Sequence, residues 1–328
     1  MSGPGAAAPW SLAYFDLLAD RRLRPAALLL RLAPAPVEVL LPLAEAPGLQ
    51  PLGAALPWFL DAKTPAPLRD ALLAAGGALL SPEGLHHCDG PPLELPPGRQ
   101  WLEGRWHLGP LADTPRSRAG SHNLAFQLME LIVANADNRE IETVFRQDPA
   151  LSYHLLRLVN SAGIGTGRQI DSLSQALLAL GRQQLRRWLN LLLFAARRDD
   201  PRAAMLLARA TVRGRSMELL ARTRGLDSAD VDRAFMIGMF SLLDVLFGMP
   251  LREILALLPL GPESADALLK QEGALGSLLA TQLAAESLDF PVLADFLERN
   301  DLTAENFWSA TLAAHIWMAA IVAESTNG

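Results

Sequence analysis

Proline is distributed very unevenly along this 328-residue chain. Eighteen of its 24 prolines lie in residues 1–120, which leaves six for the remaining 208 residues. Because proline lacks the backbone N–H and clashes with the preceding helical turn, the first part cannot be continuous helix, whereas the second part can. The chain is also long for a single hydrophobic core, so we predict two domains that meet near residue 115.

The first domain, residues 1–115, is predicted to be a small α/β unit. Its apolar runs are short and separated by turn residues, which is typical of strands. A helical pattern lies between them at residues 67–76. The sequence leaves the order of the strands open. The short apolar runs are 26–32, 37–43, 76–82 and 99–110.

The second domain, residues 116–328, is predicted to be all-helical, which makes the fold mostly α. Two Asp-Pro pairs, at 148 and 200, each combine a helix N-cap with a proline at the first helical position. They predict helices at 149–160 and from 201 to about 224. Apolar residues at three- and four-residue spacing, together with helix-end signals, predict the further helices. These are 172–181, 229–248, 263–271, 274–288, 291–299 and 303–323.

The composition argues against several broad classes of protein. The formal net charge is −6, which gives no general reason to expect a nucleic-acid partner. Cys88 is the only cysteine, so no intramolecular disulfide can form and a reducing compartment is expected. The N-terminus lacks a secretory signal, and the apolar stretch 307–323 contains His315 and has no flanking Lys or Arg. We therefore predict a cytoplasmic protein without membrane contact.

The histidines are weak candidates for metal ligands. His86, His87 and Cys88 are adjacent, and three consecutive side chains do not easily converge on one ion, so we interpret them as surface residues. The chain contains no His-Asp dipeptide, the pair that one class of metallohydrolases requires. We therefore predict no metal and no other cofactor. A structural role is also preferred for the remaining candidates, which are His122, His154 and His315.

Asp244 is a carboxylate in the otherwise apolar segment 238–248, where burial without a partner would be costly. Pairing with an arginine or capping of a helix end is the preferred interpretation, and a functional acid is the alternative. Ser241, close by, does not lie in a nucleophile motif such as GxSxG. We predict no catalytic residue.

Arginine is concentrated between residues 182 and 224, which contain eleven arginines and three acidic residues. Such a patch could hold phosphates or an acidic protein. Because the chain has only two lysines, its many arginines resemble a coding bias, and a solvated face or internal ion pairs are the preferred interpretation. Three residues, Arg186, Arg187 and Trp188, are chosen from their helix position as an interaction surface.

The segment 144–193 combines several short motifs. They are a DP-L opening at 148–151, LLRLVNSA at 155–162, an I-S-SQA pattern at 170–176 before LG at 180–181, and LRRWL at 185–189. In this combination the segment resembles the signature region of HDOD domains, which are helical domains of bacterial signalling proteins related to HD phosphohydrolases. The resemblance covers roughly residues 120–325. Its signature residues are Asp148, Pro149, Leu155, Leu156, Asn160, Ser161, Gln175 and Gly181.

These signature residues are predicted to be structural. Asn160 and Ser161 follow an apolar helical run and precede glycines at 163 and 165. Both suit a helix C-terminus, where polar side chains satisfy free backbone groups and glycine takes a left-handed turn.

The resemblance also indicates where catalytic ligands would be expected. HD enzymes carry their His-Asp pair in a helix resembling GLLHDIG, whereas GMFSLLDVL at 238–246 has Ser241 and Leu242 at those positions. Residues 1–115, a small α/β segment that ends with LEGRWHLGPL at 102–111 before a linker, resemble the EAL phosphodiesterase-like domain that precedes HDOD in two-domain EAL–HDOD proteins. They lack an EAL tripeptide and a DDF-type pair and are too short for a complete (β/α)8 barrel, which implies a shortened, degenerate EAL segment.

We therefore predict a non-catalytic signal-transduction or regulatory module that acts by binding a protein or a ligand. Its partner is predicted to be an unidentified signalling protein, with a small ligand or nucleotide as another partner and nucleic acid disfavoured. The alternative is a residual HD-type metal-dependent phosphohydrolase or a cyclic-dinucleotide receptor that uses Asp244.

Overall fold

The computed structural model describes residues 10–90, 95–109, 200–258 and 260–325, and thirteen positions between them: 127, 129–131, 133, 134, 136, 137, 140, 141, 175, 189 and 190. Of the HDOD signature only Gln175 is described, and it is helical and exposed. The predicted helix 149–160 lies outside the described residues, as does most of 172–181. The predicted residues that also lie outside are Asp148, Pro149, Leu155, Leu156, Asn160, Ser161, Gly181, Arg186, Arg187 and Trp188.

Six strands in the first part of the chain form one sheet. They are β1 (Ala13–Ala19), β2 (Pro25–Leu32), β3 (Trp58–Asp61), β4 (Ala78–Leu80), β5 (Leu85–His87) and β6 (Trp101–Glu103). The order across the sheet is β4-β3-β2-β1-β6-β5. β1 and β2 form an antiparallel hairpin in which Asp16 lies opposite Leu29, whereas β2, β3 and β4 are parallel.

Three helices connect the parallel strands and cover one face of the sheet: α1 (Val37–Leu40), α2 (Leu49–Ala55) and α3 (Ala66–Ala74). The apolar run 37–43, which the sequence groups with the strands, is helical instead. Pro36 and Pro42 stand at the starts of α1 and of the following 3-10 helix, Leu41–Glu45, and a proline at a helix start favours helical over extended backbone.

The helices after residue 200 agree with most of the predicted segments. They are α4 (Ala203–Thr223), α5 (Ser228–Phe240), α6 (Leu243–Phe247), α7 (Leu251–Leu255), α8 (Pro262–Lys270), α9 (Gly273–Glu286), α10 (Phe290–Arg299) and α11 (Ala304–Ser325). The short helix α7 was not predicted.

The prediction of one continuous helix over 229–248 is wrong, because the helix is interrupted at Ser241 and Leu242. The Leu242 backbone, with φ −114° and ψ 9°, leaves helical geometry between α5 and α6. Asp227 caps α5 by accepting the Asp230 N–H at 2.8 Å, and Gly248 ends α6 in a left-handed conformation.

α4 is buried on two sides and joins the sheet to the other helices. Met205, Ala208 and Val212 belong to the apolar core under the sheet, and the opposite side of α4 packs on α5. At this crossing a Cβ on Gly238 would lie 2.6 Å from the Gly214 Cα, so the two backbones touch without a side chain between them.

α11 packs on the same covered face of the sheet. Trp308 stacks on Phe15, with ring centroids 5.4 Å apart, and its indole N–H donates to the Leu43 carbonyl at 3.2 Å. The apolar stretch 307–323 is therefore a packed helix, as predicted. None of the helices in the described part of the chain combines the length and apolar character that a membrane crossing needs.

The mostly α fold is confirmed, with a six-stranded sheet in the first part and helices in the second. The boundary near residue 115 stays a prediction, since residues 110–126 lie outside the described residues.

Candidate functional site

α4 presents two arginines on one side, since residues four apart in a helix share a face. Arg213 forms a bidentate pair with Glu286 in the last turn of α9, with Nε–Oε1 at 2.8 Å and Nη2–Oε2 at 2.6 Å. Arg209 Nη1 lies 3.8 Å from Glu286 Oε2. All three side chains are at most 6% exposed, so this ion cluster is almost dry.

The cluster stays charged at neutral pH. Burial alone would raise the pKa of Glu286, but Arg213 and Arg209 outweigh it and lower that pKa. Burial likewise opposes the charge on Arg209, and Glu286 and Tyr14 outweigh it and raise the pKa of Arg209. The Glu286 carboxylate and the Arg209 guanidinium are therefore ionised.

Arg213 also reaches the interruption between α5 and α6. Its Nη1 donates to Ser241 Oγ at 2.6 Å, and the Ser241 hydroxyl donates to the Gly238 carbonyl at 2.7 Å. Ser241 is one of the two positions at which the resemblance places the His-Asp pair of HD enzymes. A guanidinium group held by Glu286 is fixed at that position in this chain.

Tyr14 from β1 and His315 from α11 close the cluster on the sheet side, and both are at most 1% exposed. Their rings meet edge to face, with centroids 6.0 Å apart. His315 Nδ1 lies 2.8 Å from the Thr311 carbonyl, so in the tautomer assigned by this bond Nδ1–H is the donor. Burial lowers the pKa of His315 to about 4 and raises that of Tyr14, so both are neutral at pH 7.

A third buried arginine lies at the start of α4. Arg202 pairs with Asp200 through Nε–Oδ1 at 3.0 Å and Nη2–Oδ2 at 2.9 Å. Its Nη2 also donates to the Val245 carbonyl at 3.2 Å, and its Nη1 donates to the Gly109 carbonyl. Arg202 therefore connects α4 and α6 with the segment that follows the sheet.

One face of the sheet carries a more open ion network, which we call the polar face: Asp16, Arg31, Glu103 and His87. Arg31 Nε lies 3.0 Å from Asp16 Oδ2, and Arg31 also pairs with Glu103. Glu103 Oε1 is 3.3 Å from His87 Nδ1. Asp16 and Arg31 are 21% and 28% exposed, and His87 is 61% exposed, so solvent reaches this network.

Two half-buried aromatic residues lie on the same face of the sheet. Phe59 pairs in register with Leu29, which is itself opposite Asp16, and Trp101 lies two residues before Glu103 on β6. The Phe59 and Trp101 rings are 5.5 Å apart. The polar face is thus bordered by flat aromatic surfaces.

The predicted site residues are distributed over different places. Asp244 is half-buried in the first turn of α6, where its Oδ1 accepts the Val245 N–H at 2.8 Å. His87 belongs to the polar face and lies 3.1 Å from Asp89, whose hydrogen bond raises the pKa of His87. No group of three His, Cys, Asp or Glu side chains suited to a metal occurs among the described residues.

Sequence reasoning recognised the arginine-rich segment but missed its partners. The described arginines at 202, 209 and 213 form internal ion pairs, as the preferred interpretation holds. Glu286 and Tyr14 were not singled out. Glu286 could have been found from the sequence, because it is a carboxylate in a largely apolar helix. The same feature made Asp244 a candidate.

The comparison with known families identifies the helical segment. Residues 121–249 match the family model of the HDOD domain, which confirms the predicted HDOD domain over that range. The match includes α4, α5 and α6, and therefore Arg213 and Ser241. Helices α7 to α11 lie beyond it.

Related proteins come from two bacteria. A 194-residue stretch is 32% identical to the cyclic di-GMP phosphodiesterase CdgJ of Vibrio cholerae serotype O1 (strain ATCC 39315 / El Tor Inaba N16961), covering 59% of this chain and 44% of CdgJ. A 193-residue stretch is 28% identical to YuxH of Bacillus subtilis (strain 168), covering 58% and 46%. The chain therefore spans less than half the length of either relative.

A solved structure from Shewanella amazonensis SB2B also matches, with 15% identity and a TM-score of 0.43. The match covers 62% of this chain and 93% of that one.

The prediction that this chain is not an enzyme is contradicted by these comparisons, because CdgJ is named a phosphodiesterase. The prediction was drawn from the missing His-Asp pair, which tests one motif at positions 241 and 242 and says nothing of other arrangements. A role in signalling is supported by the HDOD match and by CdgJ.

Proposed function

We propose that this chain acts in signalling by recognising a cyclic dinucleotide, with cyclic di-GMP as the first candidate. The observation that carries the proposal is the 32% identity to CdgJ, a protein named for its action on cyclic di-GMP. The HDOD match supports a signalling role for the same chain.

The polar face has the chemistry that such a ligand needs. Cyclic di-GMP offers two anionic phosphodiesters and two guanine bases, whose edges carry N–H donors and whose faces stack on aromatic rings. Arg31 supplies a cation for a phosphodiester, and Asp16 and Glu103 supply acceptors for guanine N–H groups. Phe59 and Trp101 supply rings for stacking. We place the binding site at this face of the sheet.

Hydrolysis of the same compound is the second candidate function, and the name of CdgJ favours it. HD-related hydrolases use metal ions, but within the described ranges no three potential ligand side chains are suitably grouped. The described side chains therefore form no metal centre, and we assign no reaction step to a metal.

Calorimetric titration of the full chain with cyclic di-GMP tests recognition. We expect saturable binding that Arg31→Gln and Glu103→Gln each weaken by about tenfold or more, since a well-placed polar contact to a base or phosphate contributes about 1–3 kcal/mol. Glu263→Gln is the matched control, because the Glu263 carboxylate is 81% exposed and lies on α8, outside the sheet.

Two results would contradict the proposal. No binding by the folded wild-type chain would refute recognition, and equal affinities for all three variants would refute the polar face as the site. Circular dichroism spectra of the variants establish that each is folded.

Chromatography of cyclic di-GMP after incubation with the chain and Mg²⁺ or Mn²⁺ tests the second candidate. A linear product that forms in proportion to protein, and not with Glu103→Gln, supports hydrolysis at the polar face. Intact nucleotide in the presence of saturable binding leaves recognition as the function.

We further propose that residues 1–115 form a shortened EAL-like unit. The parallel order of β2, β3 and β4, joined by helices on one face, supports this, because βα units of this kind build larger (β/α)8 barrels. Loss of cyclic di-GMP binding when residues 1–115 are removed would support this proposal, and full binding by residues 116–328 alone would contradict it.

A further inference from the structure

His107 has hydrogen-bonding capacity that the described residues do not use. It lies in the 3-10 turn Trp106–Leu108, which contacts α4, and it is completely buried. Within the described part of the chain neither ring nitrogen has a hydrogen-bond partner. A neutral imidazole carries one N–H donor and one acceptor, and leaving such groups unpaired in the interior is costly.

Arg209 has unused donors in the same region. Its Nε and Nη1 are buried, and among the described residues neither has a hydrogen-bond partner. The nearby Glu286 Oε2, 3.8 Å from Nη1, is beyond hydrogen-bonding distance, and Glu286 already holds Arg213 in a bidentate pair. Arg209 is therefore the less completely paired of the two arginines on this side of α4.

His107 lies close enough to Arg209 for the guanidinium charge to affect its pKa. Burial lowers the pKa of His107 well below its usual value, and the strongest charge acting in the same direction is Arg209, followed by Arg105 and Arg202. The imidazole is therefore neutral and can donate one hydrogen bond. In the described part of the chain, the charged and titratable groups that interact with one or both residues include Tyr14, Asp16, Arg105, Arg202, Arg213, Glu286 and His315.

The buried charges in this environment are unequal in number. Three guanidinium groups, those of Arg202, Arg209 and Arg213, are accompanied by two buried carboxylates, Asp200 and Glu286. Asp16 also acts on Arg209, but it is partly exposed and its carboxylate bonds Arg31 at 3.0 Å. One buried cation thus lacks a dedicated counter-charge among the described residues.

We propose that Arg209 and His107 form a binding site for one small inorganic oxyanion of the phosphate class, between the turn Trp106–Leu108 and α4. A tetrahedral oxyanion presents oxygens in several directions, so one ion can accept hydrogen bonds from both residues while it balances the charge of Arg209. A bound water would satisfy part of the hydrogen bonding but none of the charge. The proposal is independent of cyclic di-GMP recognition at the polar face.

The same phosphate chemistry could come from a free ion or from a nucleotide. The burial of His107 and Arg209 favours the free ion, since a nucleoside would need room beside them. Orthophosphate, GMP and chloride are therefore the three probes.

Equilibrium dialysis with labelled orthophosphate, after exchange into phosphate-free chloride buffer, tests the site directly. We expect one phosphate per chain and a melting temperature that rises with phosphate concentration at constant ionic strength, because a ligand bound only by the folded state stabilises it. GMP is expected to give no comparable rise. A rise with GMP but not with phosphate would overturn the free ion as the ligand.

Two variants locate the ion. Arg209→Gln and His107→Phe are each expected to weaken phosphate binding by about tenfold or more, through loss of a charged or neutral donor. Arg222→Gln, on the same helix with a side chain 57% exposed, is expected to retain wild-type binding. The wild-type measurement stands even if one variant does not fold. Absence of phosphate binding by the wild type, or wild-type affinity in both variants, would overturn the proposal.

Discussion

Arg213 pairs with Glu286 among the helices and Arg31 pairs with Glu103 on the sheet, yet the two pairs lie in very different surroundings. The side chains of the first pair are 3% and 2% exposed, and those of the second are 28% and 11% exposed. Removing one partner of a dry pair leaves a charge without compensation, whereas water and salt screen an accessible pair. The first pair is therefore shielded from water, whereas solvent reaches the second.

The histidines of the two regions differ in the same way. Burial lowers the pKa of His315 to about 4, whereas the hydrogen bond to Asp89 raises the pKa of the exposed His87. Environment rather than residue type decides the direction of each shift.

The largest effect is expected when the dry pair is broken. Glu286→Gln should lower the free energy of unfolding by about 3–5 kcal/mol, because Arg213 would lose its bidentate partner and Arg209 would lose the carboxylate 3.8 Å from its Nη1. Urea unfolding monitored by circular dichroism measures the loss. The double variant Arg213→Met with Glu286→Leu should lose less than Glu286→Gln alone, and a loss below about 1 kcal/mol for Glu286→Gln would contradict a dry pair.

A second prediction concerns acid stability. In the unfolded chain His315 takes up a proton near pH 6.5, whereas in the folded chain it stays neutral until about pH 4. The unfolded state therefore gains protons first, and this histidine should remove about 3 kcal/mol of stability as pH falls through that window. Urea unfolding between pH 7 and pH 4 should show a smaller decline in His315→Gln than in the wild type.

His87 should act in the opposite sense. Its folded pKa is raised, so its contribution to stability is complete below the unfolded pKa and is lost as pH rises through the folded value. An NMR titration measures the pKa of each histidine. If the pKa values of His315 and His87 were both raised, or both lowered, the contrast between the buried and the exposed histidine would be wrong.

A smaller effect is expected from the accessible pair. Glu103→Gln should destabilise the chain by about 1 kcal/mol or less, and the difference should shrink as salt is added. Loss of this carboxylate should also lower the pKa of His87, since Glu103 contributes to raising it. Thermal unfolding of Glu103→Gln and the wild type at low and high salt measures this difference in stability. A loss of stability that does not depend on salt and is as large as that of Glu286→Gln would refute the distinction between the dry and the accessible pair.

The smallest change is expected at the outer end of α4. Arg222 pairs with Glu218 at 2.9 Å but is 57% exposed, and Arg215 bonds the same carboxylate at 2.7 Å. Arg222→Gln should therefore alter the free energy of unfolding by no more than about 0.5 kcal/mol. A loss of several kcal/mol in the same urea assay would mean that exposure is a poor guide to ion-pair strength in this chain.

Local signals explain how much of the fold could be predicted. Asp200-Pro201 was predicted to open a helix at residue 201, and α4 begins two residues later at Ala203. Asp227 caps α5 and Gly248 ends α6, and each of these signals acts within a few residues of the chain. The HDOD domain was recognised from motifs of the same local kind, mainly in residues that the structure does not describe.

The candidate sites depend on contacts that a single sequence does not contain. Arg213 and Glu286 are 73 positions apart, and Arg31 and Glu103 are 72 apart. Spacing in the sequence therefore could not reveal that these residues meet. The interruption at Ser241 was missed for the same reason, because the hydrogen bond from Arg213 that accompanies it comes from another helix.

The contact between Gly214 and Gly238 has a mechanical consequence. Two bare backbones touch at Gly214 and Gly238, so backbone contact sets the spacing of α4 and α5 there, and a Cβ at Gly238 would force the two helices apart. Arg213 and Ser241 lie one and three residues from these glycines, so a wider spacing would lengthen the hydrogen bond between them.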